Sequence, residues 1–524
     1  MNETVSVHAE AFADLDHDST MGEAAAFAVT EGGKRAVREI LSRPLHSAEV
    51  LRARAGDVTG MKTEHARIRD VLEAIRDDEA GATWCAMSPD ELDADTAEAV
   101  ESPYFKGWFA KPLNSWWPAI WANNCYSIFA VPLLALSAPL SYLLAPYFII
   151  RFKLKLPLDF RTFVRLMYHS FKGAGAALKI AFGTAPSFAM QLASVVMTCV
   201  MYFQAVVSSV RHSVKLVAAI TRVCRNVNSM HRVLKTCETV ADGYDDAFYS
   251  RWCRGYRAPG PGAGSTETYA EAIRPWRTSY SRALTEYASL DREWIRRRLA
   301  QLYHLDAVCA LHMTAARHRM SRVHFVKNDA LLIRQGRRLR ADDAPNDVAA
   351  MRGINGIVLT GPNASGKSTL LRMVGCVVLL SQTLGLAPAR SCALTPIKYL
   401  TTMMGIRDDP KAGRSRFQNE LQRAGECVES ARSMPDDVGL LLMDEIFGGT
   451  DPSQGDACGG KVLTSMAETA RCIYILATHQ RGLVQHSETL PSARRYRMDS
   501  GYRLVAGVNE SFNAADLYDK KFAA

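Results

Sequence analysis

The octapeptide at 361–368 is the feature that most restricts what this chain can fold into. It reads Gly-Pro-Asn-Ala-Ser-Gly-Lys-Ser and fits the pattern G-x-x-x-x-G-K-[ST] at every position. An apolar run, 354–360, precedes it, and a helical pattern, 369–384, follows it. This strand–loop–helix context is the one that the pattern requires. The sequence therefore predicts a phosphate-binding loop in an α/β domain.

Each part of this loop has a predicted role. Its glycines allow backbone N–H groups to converge on phosphates, and the helix that follows adds a favourable dipole. Lys367 is predicted to reach the β- and γ-phosphates, and the Ser368 hydroxyl to bind Mg²⁺. We therefore expect ATP and Mg²⁺ as ligands. The predicted nucleotide-binding residues are Gly361, Pro362, Asn363, Ala364, Ser365, Gly366, Lys367, Ser368 and Thr369.

Two later apolar runs end in residues that suit hydrolysis. The run 440–443 is followed by Asp444, predicted to support the magnesium ion, and by Glu445, predicted to accept a proton from the attacking water. His479 follows the run 473–477 and is predicted to sense the γ-phosphate. A lone histidine is more often structural, and that alternative stays open.

The pattern of periodicity divides the chain. Up to about residue 305 it is mainly helical, with one helical run, 33–54, broken by Pro44. Short β-like runs then alternate with helices, as in a mainly parallel α/β sheet. The predicted domains are an N-terminal part of a helical core (1–110), a hydrophobic insert (111–210), a helical lever or core continuation (211–320), an ATPase domain (321–517) and a short tail (518–524).

Several motifs together resemble the MutS family of mismatch-repair ATPases, a branch of the ABC class. The phosphate loop, TGPNASGKST, and the segment DEIFGGT at 444–450 are similar to motifs of that family. Further similarity lies in Ala387-Pro388-Ala389, in the loop DDPKAGRSRFQNEL from Asp408, in Thr478-His479, in the PNDV segment from Pro345, in Gly33 to Leu45 and in Leu305 to Val308.

The resemblance implies an ABC-type ATPase domain, preceded by a mainly α-helical core or lever domain. It also implies a homodimer, or a heterodimer of paralogues, in which Gly413, Arg414 and Ser415 complete the partner's ATP site, with DNA as the further partner. The helical core pattern begins near residue 20, so we expect a short form without the mismatch-recognition and connector domains. Arg416 and Phe447 depart from the family, which has Thr and Gly there.

Two uncharged runs interrupt the helical region. No Asp, Glu, Lys or Arg occurs at 112–150 or at 180–210, and both runs are long enough to cross a bilayer. We expect contacts with membrane lipids through both runs, with a buried helical hairpin of a soluble domain as the alternative. Each run could span once, or the first could be a hairpin within 114–150, bent near 132–139, which would keep the basic loop 151–178 on the ATPase side. The second run could likewise be a hairpin or a re-entrant segment, interrupted by Gly183 and Pro186.

Net charge and cysteine usage indicate the kind of partner and the cellular compartment. The net charge of +9 favours a polyanionic partner, either nucleic acid or anionic lipid. The twelve cysteines include no C-x-x-C pair, and the N-terminus lacks the pattern of a signal peptide. We therefore expect an intracellular, reducing compartment, with the ATPase domain on the cytoplasmic side if a membrane is bound. The alternative functions are a soluble DNA-clamping repair or recombination factor and an interaction module with a weak or degenerate ATPase.

Overall fold

The computed structural model describes residues 4–8, 10–166, 168–169, 188–253, 256–258, 279–339, 344–362, 365–405, 416–434, 436–448, 450–469 and 471–509. The chain forms two compact units. Unit 1 comprises Met1–Arg76, Thr236–Pro259 and Arg297–Ala524, and unit 2 comprises Asp77–Lys235 and Gly260–Arg296.

Helices make up most of the described residues before position 320 and alternate with strands afterwards. In chain order the helices of the described part are α1 (Ala11–Asp14), α2 (His17–Ala25), α3 (Glu31–Leu41), α4 (Ala48–Gly60), α5 (His65–Ala74), α6 (Glu79–Ala86), α7 (Ala94–Glu101), α8 (Ala110–Asn114), α9 (Trp117–Cys125), α10 (Val131–Phe148), α11 (Phe188–Thr236), α12 (Asp246–Trp252), α13 (Ser279–Ser289), α14 (Arg292–Arg317), α15 (Lys367–Leu384), α16 (Arg416–Ser433), α17 (Pro452–Glu468) and α18 (Arg481–Glu488).

Unit 1 contains two sheets. The strands are β1 (Ser6–Val7), β2 (Ser321–Phe325), β3 (Leu331–Gly336), β4 (Asn346–Ala350), β5 (Gly356–Thr360), β6 (Leu386–Ala387), β7 (Ser391–Leu394), β8 (Tyr399–Met403), β9 (Gly439–Asp444), β10 (Cys472–Thr478), β11 (Ala493–Met498) and β12 (Leu504–Ala506). The larger sheet has the order β1-β8-β9-β10-β5-β11-β12 and is parallel except for β12. The smaller has the order β4-β3-β7-β2-β6. The predicted α/β alternation is thus confirmed.

The larger sheet is covered on both faces, which explains why its central strands are apolar throughout. In β10 the side chains of Ile473 and Ile475 join the core on one face, and those of Tyr474 and Leu476 join the core on the other. A parallel sheet buried on both sides needs such continuous apolar strands. The carboxyl ends of β5, β9 and β10 meet at one edge, where ligands bind in sheets of this kind.

The predicted break at Pro44 is confirmed in unit 1. Helix α3 begins after Thr30, whose hydroxyl accepts a hydrogen bond from the Gly33 N–H, and it ends at Leu41. Helix α4 begins after Ser47, which caps it in the same way. Between the two helices, the Leu45 N–H donates to the carbonyl of Gln382 at 2.6 Å. The break therefore joins the N-terminal helices to α15.

Unit 2 shows how the first uncharged run folds. Helices α9 and α10 are joined by a π-helical turn, Tyr126–Ala130, so the hairpin considered for 114–150 is wrong. The ring of Pro132 conflicts with the carbonyl four residues earlier, and the wide π turn accommodates that conflict without ending the helix. The stretch Trp117–Ala138 is the one candidate membrane span among the described residues. Residues 170–187, which include part of the second uncharged run, lie outside those residues.

Candidate nucleotide-binding site

The loop after β5 has the backbone shape that its glycines predict. Gly366 is the residue before α15 and has a φ of +93°, a left-handed conformation that glycine adopts without strain. A Cβ atom at this position would also lie 3.1 Å from the Tyr502 ring. Helix α15 then begins at Lys367, so its first N–H groups face the loop. Asn363 and Ala364 lie outside the described residues.

Lys367 is held at the mouth of the loop although its side chain is buried. Its Nζ donates hydrogen bonds to the carbonyls of Gly361 and Pro362, at 2.9 and 3.0 Å. The same atom lies 3.7 Å from Oε1 of Glu445. A buried ammonium requires such partners, and phosphate oxygens are stronger acceptors than the two carbonyls.

Ser368 and Asp444 meet although they are far apart in sequence. The Ser368 hydroxyl donates to Oδ2 of Asp444 at 2.5 Å. Burial raises the pKa of Asp444, while the hydrogen bond from Ser368 acts in the opposite direction. Its Oδ1 is buried and has no hydrogen-bond partner in the described part of the chain. A serine hydroxyl beside an incompletely paired carboxylate is a ligand pair that suits Mg²⁺, which takes its remaining ligands from phosphate and water.

Glu445 and His479 form a second pair at the same sheet edge. Oε1 of Glu445 lies 3.2 Å from Nδ1 of His479, and both side chains are partly exposed, so water can reach them. Glu445 has a φ of +53°, and its N–H donates to the carbonyl of Ala477. The sheet edge thus holds an accessible carboxylate beside the buried Lys367 ammonium.

The segment after Glu445 is also in an unusual conformation. Phe447, which stands where the family has glycine, is buried and has a φ of +55°. Its ring meets Phe417 edge to face at 5.9 Å. The Nε2 of Gln480 donates to the carbonyl of Ile446 at 2.9 Å, which fixes this turn. Asp451 then caps α17 by accepting from the N–H groups of Ser453 and Gln454.

Sequence reasoning missed three residues that shape the site. They are Gln480, which holds the turn after Glu445, Tyr502, which faces Gly366, and Asn346, which holds the Tyr502 turn. The Asn346 side chain donates to the Tyr502 carbonyl at 3.0 Å and accepts from the Leu504 N–H at 2.8 Å. The signal for Asn346 was its place in the PNDV segment. For Tyr502 the sequence offers no comparable signal.

The structure brings most of the predicted site together. Gly361, Pro362, Ser365, Gly366, Lys367, Ser368 and Thr369 form the loop and first helical turn, and Asp444, Glu445 and His479 lie at the ends of β9 and β10. Gly413, Arg414 and Ser415 lie outside the described residues. Within the described part, no group of three or more His, Cys, Asp or Glu residues could hold a metal ion by itself.

The region that contains this site is similar to known proteins. Residues 357–506 match the family model of MutS domain V. The chain is 32% identical over 222 residues to the DNA mismatch repair protein MutS of Thermosynechococcus vestitus, which is 41% of this chain and 25% of the relative. It is 33% identical over 183 residues to the protein of the same name from Pseudothermotoga lettingae, which is 34% of this chain and 22% of the relative.

The matched region therefore spans about a quarter of the length of these relatives. The helical N-terminal region followed by a C-terminal α/β sheet is an arrangement that fits a MutS domain V. Over residues 357–506, this chain is similar to domain V of MutS proteins.

Proposed function

We propose that this chain is an ATPase that requires Mg²⁺. One observation carries the proposal: Lys367, Ser368, Asp444 and Glu445 converge at a single sheet edge, joined by distances of 2.5 to 3.7 Å. The similarity of residues 357–506 to MutS domain V supports the same activity. An interaction module with a degenerate ATPase would have no need to keep all four groups in contact.

The residues present fit both proposed ligands. Ser365 Oγ and Asp444 Oδ1 are buried polar atoms that have no hydrogen-bond partner among the described residues. Such atoms carry a free-energy cost that a phosphate or a metal-bound water would relieve. Lys367 would hold the phosphates, and Ser368 with Asp444 would hold Mg²⁺. The metal ion supplies charge stabilisation for phosphoryl transfer.

Glu445 is the proposed base. Its carboxylate is partly exposed, so a water molecule can reach it, and Lys367 and His479 flank it at 3.7 and 3.2 Å. Its role is to accept a proton from that water, while His479 holds the carboxylate in position. Glu445 has a left-handed backbone conformation and directly follows Asp444, the last residue of β9.

The test replaces Glu445 by Gln, which removes the base and keeps the shape of the side chain. Turnover should fall on the order of a hundredfold or more, while ATP binding is retained. Lys367→Ala should instead lose ATP binding. Glu468→Gln, an exposed carboxylate of α17, is the matched control and should hydrolyse like the parent. Unchanged turnover in Glu445→Gln would remove Glu445 from this role, and unchanged binding in Lys367→Ala would overturn the nucleotide site.

A dimer closed by ATP is the second part of the proposal, and it rests on the resemblance to ABC-class ATPases. In such a dimer the partner subunit's Ser415 would contact the γ-phosphate. The Glu445→Gln variant with ATP should then behave as a dimer in light scattering, and the same variant with ADP as a monomer. A monomer under both conditions would contradict the dimer and leave the hydrolysis proposal intact.

DNA is the proposed partner, supported by the names of the similar proteins and by a basic cavity in unit 1. The cavity has a volume of about 650 Å³, and Arg317, Arg319, Arg337 and Arg390 contribute to its lining. These four side chains make no ion pair with an acidic residue of the described chain. Duplex DNA should bind with an affinity that falls steeply with salt, and Arg337→Glu with Arg390→Glu should flatten that dependence. Binding that is unaffected by both changes would exclude this surface.

A further inference from the structure

The burial of helix α11 changes abruptly at Ser213. On the C-terminal side, Leu216, Ile220 and Val223 are buried at helical spacing, as expected for a helix with one face in a protein core. On the N-terminal side, no residue from Val196 to His212 is buried. A single helix thus has two environments, and the change lies beside Arg211 and Lys215, the first charges after the uncharged run.

The exposed half of α11 is apolar, which separates it from an ordinary solvated helix. Six consecutive residues, Val196 to Met201, are exposed, and the side chain of Phe203 is 70% exposed. Six consecutive positions cover more than one full turn, so over this stretch exposed side chains occur all around the helix. A partner protein that docked on one face would leave the remaining faces in water.

The helix formed by α9 and α10 lies beside this half of α11, and it too is apolar, with few of its described residues buried. The Tyr202 hydroxyl donates to the Leu136 carbonyl at 2.8 Å, and the Ser213 hydroxyl donates to the Ser127 carbonyl at 3.2 Å. From the first hydrogen bond to the second, α11 advances along the chain from Tyr202 to Ser213 while the other helix goes back from Leu136 to Ser127. The two helices are therefore antiparallel. No residue from Cys125 to Ala138 is buried. Within the candidate span Trp117–Ala138, only 17% of the most apolar stretch is buried.

The length and the ends of this apolar hairpin are those of a bilayer segment. Tyr126 to Phe148 spans about 34 Å at 1.5 Å per residue, close to the roughly 30 Å of a hydrocarbon core. Basic residues occur at both ends, with Arg211 and Lys215 at one and Arg151, Lys153 and Lys155 at the other. Trp116 is exposed near the first end, where an aromatic side chain favours the membrane interface.

At the far end, the chain combines basic and aromatic groups as an interfacial segment does. The Tyr147 ring contacts Phe160 and Phe163, with centroids 5.3 Å apart in each case, and the Arg151 guanidinium lies 6.0 Å from the Tyr147 ring centre. Phe152 and Leu154 are exposed on the same segment. Basic side chains beside exposed aromatic and aliphatic groups bind anionic headgroups and insert into the acyl boundary.

We infer that the hairpin formed by Tyr126–Phe148 and the α11 stretch before Ser213 is inserted in a lipid bilayer. The occupant is lipid because the described residues of both helices present apolar side chains that no protein core buries, and basic residues lie at both ends of the hairpin. This inference does not depend on ATP hydrolysis, because all of its residues belong to unit 2 and none belongs to the nucleotide site.

The experiment uses the full chain with vesicles of phosphatidylcholine and a minority of phosphatidylglycerol, separated by flotation. The test variant carries Leu133→Glu and Val200→Glu, whose native side chains are 66% and 53% exposed, so that no protein packing is lost. The control is Met351→Glu, which replaces a side chain that is 44% exposed in unit 1. Circular dichroism verifies that each variant is folded, and a Leu133→Gln, Val200→Gln pair provides a milder second test.

We expect the parent and Met351→Glu to float with the vesicles and to remain bound in about 1 M NaCl, where electrostatic attraction is screened. The double glutamate variant should lose partitioning by on the order of a hundredfold, because each charge is costly in hydrocarbon. Release of the parent by salt would overturn insertion, since the basic residues alone would then explain binding. A parent that stays soluble without detergent as a discrete dimer, and becomes monomeric in the double variant, would assign the surface to a second copy of the chain.

Discussion

The hydroxyl of Ser368 donates a hydrogen bond of 2.5 Å to Oδ2 of Asp444, joining the first turn of α15 to the end of β9. The two residues are separated by 76 positions in the chain. Both are proposed ligands of Mg²⁺, so this hydrogen bond holds two members of the proposed ligand set beside each other. Preorganisation of this kind lowers the cost of ordering the site on binding.

Asp444→Asn should abolish most magnesium-dependent hydrolysis while keeping the hydrogen bond from Ser368. An amide keeps an acceptor oxygen but carries no charge, so it is a much weaker ligand for a hard cation. We expect turnover to fall on the order of a hundredfold, with a higher concentration of Mg²⁺ needed for half-maximal activity. Steady-state assays across a magnesium titration measure both effects. Turnover and magnesium dependence equal to those of the parent would remove Asp444 from the ligand set.

At position 447 we expect glycine to give a more stable protein than alanine, which is the reverse of the usual order. Both Phe447→Ala and Phe447→Gly lose a buried aromatic ring, which costs about 3–5 kcal/mol of unfolding free energy. Because the backbone has a φ of +55°, alanine retains a strain of about 1–2 kcal/mol that glycine lacks. Urea unfolding should therefore find Phe447→Gly more stable than Phe447→Ala by about 1 kcal/mol.

A helical site supplies the control for this comparison. Ala424 lies inside α16, where Ala424→Gly should lower stability by about 1 kcal/mol. Equal stability of the two Phe447 variants would show that the left-handed backbone at this turn relaxes at no cost.

The sequence predicted those parts of the site that depend on short continuous segments of the chain. The phosphate loop is flanked by its own strand and helix, so the positions of Lys367 and Ser368 follow from a short continuous segment. Asp444 and His479 end apolar strands, and parallel strands bring their carboxyl ends to one edge. The departure at Phe447 was visible in the sequence, but its left-handed backbone was not.

Contacts made across long distances in the chain could not be predicted. Asn346 holds the turn at Tyr502 from 156 residues away, and β1 pairs with β8 at the edge of the sheet. The apolar runs show a different limit. Their composition made the two uncharged runs visible in the sequence. Whether a run is buried depends on the elements that pack around it, and the sequence of the run itself does not determine those. In the structure no residue from Cys125 to Ala138 or from Val196 to His212 is buried.

His17 is predicted to make the stability of the fold sensitive to acid. Its Nε2 lies 2.9 Å from the Leu41 carbonyl, and its buried Nδ1 has no hydrogen-bond partner in the described part of the chain. Burial lowers the pKa of His17 below its usual value of 6.5. The unfolded chain therefore binds a proton more readily than the folded one, so stability is lost as pH falls below the usual value. His304 and His312, whose pKa is also lowered by burial, act in the same direction.

Thermal unfolding between about pH 7 and pH 5 measures this loss. In His17→Gln the melting temperature should fall less steeply with pH, because one of the buried groups no longer titrates. His324→Gln, a change at an exposed position on β2, should retain the slope of the parent. A slope in His17→Gln equal to that of the parent would mean that His17 binds a proton as readily in the folded chain as in the unfolded one, and that the acid sensitivity arises elsewhere.

Asp306 should be among the most sensitive positions for the stability of unit 1. Its buried carboxylate accepts hydrogen bonds from the N–H groups of Val29 and Thr30 and from the Thr30 hydroxyl, at 3.1, 2.8 and 2.7 Å. Asp306→Ala leaves these donors unpaired, at a cost of about 1–3 kcal/mol for each buried group. Gly33→Ala should also destabilise, because a Cβ there would lie 2.1 Å from Oδ2 of Asp306. Lys34→Ala, in an exposed pair with Glu31, should leave the urea midpoint unchanged. A midpoint equally unchanged in Asp306→Ala would show that water replaces the carboxylate and that Asp306 does not hold the start of α3 to α14.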